Sequence, residues 1–270
     1  QYTPATGWAQ ALAYRARVLG DPHCAGSIAV VHGGDASTAT NGFWASLNIA
    51  ATERLPLLYF IEDNGYGISV RSDRQTPGGD IAANLASFRN LQIFNGDGSD
   101  PGAAAVLIEK SVAAVRAGEG PVLLRLTVPR LSGHSGQDTQ AYKSPEEVAA
   151  EQARDPLLRL RGQIVPRIVA EAEWKTLEVE AQAEVEAALA RVEARPAAEM
   201  DAVTRYAFTE SRDDGSLELQ RQGGMLADGV LPAAGSDVPR PDGPRINMLT
   251  AIRRTLEHEL EINPRVLVFG

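Results

Sequence analysis

Two stretches carry oxygen-bearing side chains and glycine directly behind apolar runs. Gly34-Asp35-Ala36 follows Ser27–His32 (SIAVVH), and Asp63-Asn64-Gly65-Tyr66-Gly67 follows Leu57–Glu62 (LLYFIE). A carboxylate, an amide oxygen and a main-chain carbonyl from neighbouring loops make a hard-oxygen donor set. Mg²⁺ suits such a set, because it binds through one or two protein groups together with water and substrate phosphates. A helix beginning soon after such a turn offers free N–H groups and a positive dipole end to phosphate oxygens. Asp35, followed by small residues and a helical pattern from Thr40, meets both conditions. Each turn alone has a local explanation, Asp35 as a helix cap and Asn64 in a left-handed turn. The two in order, on successive strands, weaken that explanation and point to a metal-bridged diphosphate between them.

Such turns need a scaffold that brings them to one place. Residues 6–19 predict a helix, with Trp8, Leu12, Ala16 and Leu19 on one face and Gly20 as its stop. Strands are expected at 27–32, 57–62, 91–94 and 121–128, and helices at 40–54, 80–88 and 100–117. Asp100-Pro101 is a helix start, since Asp suits the N-cap and Pro the first helical position. Strands alternating with helices imply an α/β fold, a parallel sheet flanked by helices, and the strands are continuously apolar as burial on both faces requires. In such sheets ligands bind beyond the carboxyl ends of the strands. The turns at Gly34-Asp35, Asn64-Gly65 and Gly133-His134 therefore share one edge if the strands are parallel.

The organisation divides into residues 1–143, the α/β domain; 144–211, a helical extension; 212–245, a linker rich in Gly, Pro, Asp and Ser; and 246–270, the start of a further α/β unit. Ser144-Pro145-Glu146-Glu147 fits a capping box and Asp155-Pro156 repeats a start signal. Residues 174–195 predict an amphipathic helix whose stripe of Leu177, Ala181, Val185, Ala188 and Val192 packs on the domain or on a partner. Residues 246–259 predict another helix, and Arg265–Phe269 a strand. A formal charge of -9 and the lack of a Lys/Arg cluster set aside a general nucleic-acid binder. No apolar run approaches the length of a membrane span. The one cysteine, Cys24, excludes an intramolecular disulfide framework and fits a reducing compartment, so a cytoplasmic setting is expected.

Gly34-Asp35-Ala36, then residues 37–63, then Asn64 resembles the thiamine diphosphate motif, Gly-Asp-Gly, a spacer, then Asn. Gly34–Ser69 resembles the alpha subunit of 2-oxoacid dehydrogenases acting on pyruvate or branched-chain oxoacids, whose second turn reads Asn-Gly-Tyr-x-Ile-Ser, here Asn64–Ser69. Arg130–Ser135 (RLSGHS), with Asp138 and Tyr142-Lys143 after it, resembles that family's His-bearing loop. Ser144–Val148 and Asp155-Pro156-Leu157 continue in register, and Ile246–Gly270 resembles the opening of the beta subunit.

The resemblance implies a thiamine diphosphate-binding fold with Mg²⁺ held by the side chains of Asp35 and Asn64 and the carbonyl of Tyr66. It implies that Gly34, Ala36 and Ser37 place backbone groups near the diphosphate. Ile68 would pack by the cofactor rings, and His134 would sit near the diphosphate and the reacting centre with Ser135 beside it. It also implies oxidative decarboxylation of a 2-oxoacid with reductive acylation of a lipoyl group. The implied partners are a beta subunit or fused beta half, a lipoyl acyltransferase and a small-molecule 2-oxoacid, with a homo-oligomer expected. The chain would then be an internal piece of a fused alpha–beta dehydrogenase and have little or no turnover alone. Ala36 departs from the usual third glycine, and a methyl there needs room and a negative φ. Two alternatives stand beside this reading: a transketolase-like thiamine enzyme, and a non-catalytic, partner-binding half.

Overall fold

In chain order the elements are α1 (Tyr2–Arg17), β1 (Ala29–Gly34), α2 (Asn41–Glu53), β2 (Leu57–Asp63), the two-residue strands β3 (Tyr66–Gly67) and β4 (Val70–Arg71), α3 (Ile81–Asn84), β5 (Gln92–Asp97), α4 (Pro101–Arg116), β6 (Val122–Thr127), α5 (Pro145–Gln152), α6 (Pro156–Ile164), α7 (Glu171–Glu193) and α8 (Met248–Ile262). The computed structural model describes residues 1–200, 243–264 and 266. The chain divides into two compact units, 1–185 and 186–270.

The first unit is built on a four-stranded sheet of order β1-β2-β6-β5, all neighbours parallel. The α/β fold expected from the alternating pattern is the fold found, a parallel sheet flanked by helices. Register explains which residues are buried where. Val31, Tyr59, Leu123 and Ile93 lie side by side across the strands, and their row faces α1, α2 and α3. The rows on either side of it, Leu58 with Val122 and Phe60 with Leu124, face α4. Burial on both faces is why these strands read as unbroken apolar runs.

On the first face Tyr2, Phe43 and Tyr59 form an aromatic cluster with centroids 5.2–6.1 Å apart. The Tyr59 hydroxyl reaches Ser46 Oγ at 2.7 Å, and Ser46 Oγ reaches Thr6 Oγ1 at 2.6 Å, so the polar atoms among these rings are paired. Burial pushes the Tyr59 hydroxyl up to about 12.

Helix starts follow the cap chemistry in the sequence. Thr40, Asp80, Asp100, Ser144, Asp155 and Asn247 each accept a hydrogen bond from a backbone N–H of the first turn they precede. Boundaries differ in places. Strand β1 runs two residues past His32, because Gly33 and Gly34 still pair with Ile61 and Glu62. A Cβ on Gly33 would sit 2.2 Å from the Tyr2 hydroxyl, so glycine is what lets the strand continue there. The helix expected over 80–88 is one turn, Ile81–Asn84, with Ile81 and Ala82 in the core and Leu85 buried directly after it.

In α7 only Trp174 is buried, and Leu177, Val185 and Val192 stand exposed. Leu177, Ala181 and Val185 of the stripe are therefore not buried on the α/β domain, which was one of its two expected uses. Helix α8 begins two residues later than expected and extends to Ile262. The linker from residue 212 to 242, residues 201–211 of the helical extension, and the strand expected at Arg265–Phe269, save Val266, lie outside the described residues.

Candidate functional site

Strand β1 ends at Gly34, whose extended backbone (φ -92°, ψ 172°) caps a short 3-10 turn over Asp35–Ala39. The turn is pinned from within. Ser37 Oγ donates to the Gly34 carbonyl at 2.6 Å and lies 2.5 Å from the Tyr2 hydroxyl, and Thr38 Oγ1 donates to the Asp35 carbonyl at 2.7 Å. Asp35 is thereby held inward, 5% exposed, with its Oδ2 buried and without a hydrogen-bond partner. Burial pushes its carboxyl above the usual carboxylate range, and the nearby charge of Asp63 adds to the rise. The backbone N–H groups of Asp35 and Asn64 and the charge of Arg130 act the other way. An orphaned carboxylate oxygen in such a place is costly unless a cation meets it.

Strand β2 delivers the second turn beside the first. Asp63 does not join Asp35 as a donor: its Oδ2 is taken by Arg125, at 2.7 Å from Nε and 2.6 Å from Nη2, and its Oδ1 accepts the Gly65 N–H at 2.9 Å. Arg125 also reaches Asp80 at 3.1 Å and Asn95 at 3.2 Å, tying β2, β5, β6 and the cap of α3 together beneath the site. Gly65 adopts φ +77°, where a side chain would be strained. Asn64 Oδ1 accepts the Tyr66 N–H at 3.0 Å, which leaves its second lone pair for another partner. The Tyr66 carbonyl is 3.4 Å from Arg130 Nη1, and its hydroxyl donates to Glu147 at 2.6 Å. Ala36 abuts Gly67, so the two turns touch.

The third segment follows β6, next to β2 in the sheet. Its hub is Asp138, which accepts from the His134 N–H at 2.7 Å, the Gln140 N–H at 2.9 Å and the Tyr142 hydroxyl at 3.0 Å, and faces Arg130 at 3.5 Å. These donors hold its carboxyl below the usual range, the His134 N–H foremost. A Cβ on Gly133 would fall 2.1 Å from the Asp138 carbonyl, so the bend admits only glycine. Tyr142 also lies 3.2 Å from the Ile68 carbonyl, which joins this loop to the second turn. His134 and Ser135 are exposed on the loop. Ile68 is exposed as well and sits at φ +57°, a rare and strained conformation for a β-branched residue.

The structure thus gathers Gly34, Asp35, Ala36, Ser37, Asn64 and Tyr66 at one rim, and links Ile68, His134 and Ser135 to it through Tyr142 and Asp138. Among the described residues no group of three or more His, Cys, Asp or Glu is arranged as a metal cluster. A cation here would rest on one carboxylate, one amide oxygen and main-chain oxygen, a set suited to Mg²⁺ completed by water and phosphate. Three buried side-chain polar atoms lack a hydrogen-bond partner among the described residues, Asp35 Oδ2, Arg130 Nη2 and Gln140 Oε1, and they lie in the first turn and the His134 loop.

Sequence reasoning missed Arg125, Arg130 and Asp138 as organisers. Arg125 left a signal, a lone charge inside the apolar run PVLLRLTV that only a buried partner would permit. Asp138 and Arg130 left none beyond their place in the loop, because their partners are distant in sequence.

The family described as "Dehydrogenase E1 component" matches residues 2–201. The pyruvate dehydrogenase E1 component subunit alpha of Porphyra purpurea is 29% identical over 210 residues, covering 77% of this chain and 60% of that protein. The chloroplastic pyruvate dehydrogenase E1 component subunit alpha-3 of Arabidopsis thaliana is 30% identical over 193 residues, 71% of this chain and 44% of that protein. The alpha subunit of acetoin:2,6-dichlorophenolindophenol oxidoreductase from Cupriavidus necator is 31% identical over 173 residues, 63% of this chain and 52% of that protein. The chain spans about half the length of the curated relatives it matches.

Proposed function

Because the chain belongs to the dehydrogenase E1 component family, we propose that it supplies the alpha half of a thiamine diphosphate-dependent 2-oxoacid dehydrogenase. The observation that carries the reading is the buried, unpartnered Asp35 Oδ2 beside the Asn64 turn. Asp35, Asn64 and the Tyr66 carbonyl would hold Mg²⁺, and Gly34, Ala36 and Ser37 would face the diphosphate with backbone groups. Bound thiamine diphosphate supplies the nucleophile and electron sink that decarboxylation of a 2-oxoacid requires.

This chain's own residues position and shield. Asp35 would meet the cation with a carboxylate oxygen that is buried and has no other partner. Arg125 and the Gly65 N–H occupy the oxygens of Asp63, so that it would not be a second ligand for the ion. Asp138 holds the backbone of His134. His134, with Ser135 beside it, would steer the substrate carboxylate and the acyl transfer. Ile68 would pack by the cofactor rings. Ala36, the departure from the usual third glycine, does not adopt a positive φ, so its backbone is compatible with the turn.

The proposed partners are a beta subunit or fused beta half and a lipoyl acyltransferase, in a cytoplasmic homo-oligomer. A second reading comes from the relative named for acetoin: the substrate would be an α-hydroxyketone taken at the same proposed site. The test supplies the chain with its beta half, titrates Mg²⁺ and thiamine diphosphate against tryptophan fluorescence, and follows dye reduction with a panel of 2-oxoacids and acetoin. Saturable cofactor uptake and turnover of one 2-oxoacid are expected, with His134→Ala losing at least tenfold in lipoamide acylation. Turnover of acetoin alone selects the second reading. Failure to take up cofactor at millimolar concentration would overturn both.

A further inference from the structure

We infer that Ala36 and Gly67 form one steric unit that sets the spacing between the two oxygen-bearing turns. For its functional meaning this rests on the cation site proposed above. Each of the two small residues directly follows a proposed donor, Ala36 after Asp35 and Gly67 after Tyr66. A Cβ built on Gly67 would lie 2.5 Å from the Ala36 methyl, and 2.6 and 2.7 Å from the Gln75 amide atoms. Real Cβ atoms do not approach that closely, so something must shift.

The two obstacles differ in kind. The Gln75 amide is the far end of a flexible side chain, held by one hydrogen bond to the Val70 carbonyl at 2.9 Å, and it can swing away. The Ala36 methyl is fixed to the main chain and moves only with its turn. Gly67 is not among the positive-φ glycines, unlike Gly65, so space rather than backbone conformation demands glycine there. One methyl fits between the turns and two do not. A chain with alanine where the motif it resembles usually has glycine keeps the fit by leaving Gly67 bare.

The consequence is positional. Gly67 pairs with Val70 in the small hairpin, so pushing it outward carries the Tyr66 carbonyl with it. Mg²⁺ demands near-ideal octahedral geometry, so a shift of a few tenths of an ångström in one donor weakens binding. The Ala36 methyl and the bare Gly67 therefore act by positioning the donors beside them, separately from the backbone groups of Ala36 that would face the diphosphate.

The experiment compares Ala36→Gly, Gly67→Ala and the double variant in the full chain supplied with its beta half. It reads the thermal midpoint without cofactor and the affinity for thiamine diphosphate at fixed Mg²⁺. Gly67→Ala should lower the midpoint by about 5 °C, the usual scale for overpacking, and weaken affinity at least tenfold. Ala36→Gly should move the midpoint by only about 2 °C. The double variant should return to within about 2 °C of wild type and regain most of the lost affinity.

A double variant as impaired as Gly67→Ala overturns the steric unit. Recovery of the midpoint without recovery of affinity overturns the positioning role. If wild type binds no cofactor while the midpoints still show rescue, the cation reading fails and the steric unit stands. Should Gly67→Ala not fold, a folded, cofactor-binding double variant supports the inference and an unfolded one overturns it.

Discussion

Asp35 and Asp97 sit at the same rim of the same sheet, one just past β1 and the other at the end of β5, and their surroundings are opposite. The Asp97 side chain is 44% exposed, yet its carboxylate is saturated: Oδ1 accepts from Ser99 N–H at 2.9 Å, Ser99 Oγ at 2.6 Å and Arg154 at 3.0 Å, and Oδ2 from Arg159 at 3.0 Å. Its carboxyl is held well below the usual range, the Ser99 hydroxyl foremost. Asp35 is buried, carries an oxygen with no hydrogen-bond partner and is pushed upward by desolvation. A saturated carboxylate is finished; here it clamps α5–α6 and the segment between them to the sheet. An unsaturated, buried one leaves a debt that a ligand can settle. The rim thus has a saturated, structural end at β5 and an end at β1 and β2 with an unmet carboxylate oxygen, where the cation is proposed to bind.

The sharpest way to break this comparison is to remove the charge at each end. Asp35→Asn should cost on the order of a hundredfold in affinity for thiamine diphosphate at fixed Mg²⁺, about 2.7 kcal/mol. Asp97→Asn should change that affinity by less than threefold. Equal losses would mean that both ends are structural.

Stability should respond in the reverse order. Chemical denaturation of Asp97→Asn should show a loss of about 1–2 kcal/mol, the range for hydrogen bonds to a charge reduced by solvent screening at a half-exposed site. Without cofactor, Asp35→Asn should instead gain about 1 kcal/mol, since a desolvated charge has been removed. A cofactor-free Asp35→Asn protein that is clearly destabilised would show that Asp35 has structural partners.

The smallest effect is in the pH profile. Asp97 has a folded pKa below its unfolded value, so its contribution is present above the ordinary carboxylate pKa and fades as pH falls toward the folded one. Asp35 has a folded pKa above its unfolded value, so its penalty is absent in acid and appears as pH rises through the folded pKa. Cofactor-free stability curves between pH 3 and 7 should therefore steepen upward with pH in Asp35→Asn and flatten in Asp97→Asn. Cation affinity should decline from a higher pH than an ordinary carboxylate would give. Parallel curves would remove the contrast.

Much of the fold was legible because its determinants are local. A sheet buried on both faces writes unbroken apolar strands such as Leu57–Ile61, and a cap needs only the right side chain before a first turn, as at Thr40, Asp100 and Ser144. Where glycine behaves two ways the reading slipped: Gly33 and Gly34 look like a turn and pair as strand. At the site, Asp35 and Asn64 were legible from their place behind two strands. The stripe on α7 was legible as amphipathic, but nothing local told that its apolar face would stand exposed.

By itself the sequence determined the alternation of strands and helices, the helix starts marked by caps such as Asp100 and Ser144, and the oxygen-bearing residue types that follow β1 and β2. Period, capping and residue chemistry act within a few positions, so a single chain displays them. Only the tertiary structure decided that β6 lies beside β2, that Arg125 takes Asp63 out of play, that Asp138 gathers the His134 loop, and that Ala36 meets Gly67. Those outcomes depend on packing between residues far apart in the chain, where excluded volume and unpaired charge are settled by neighbours that no local pattern names.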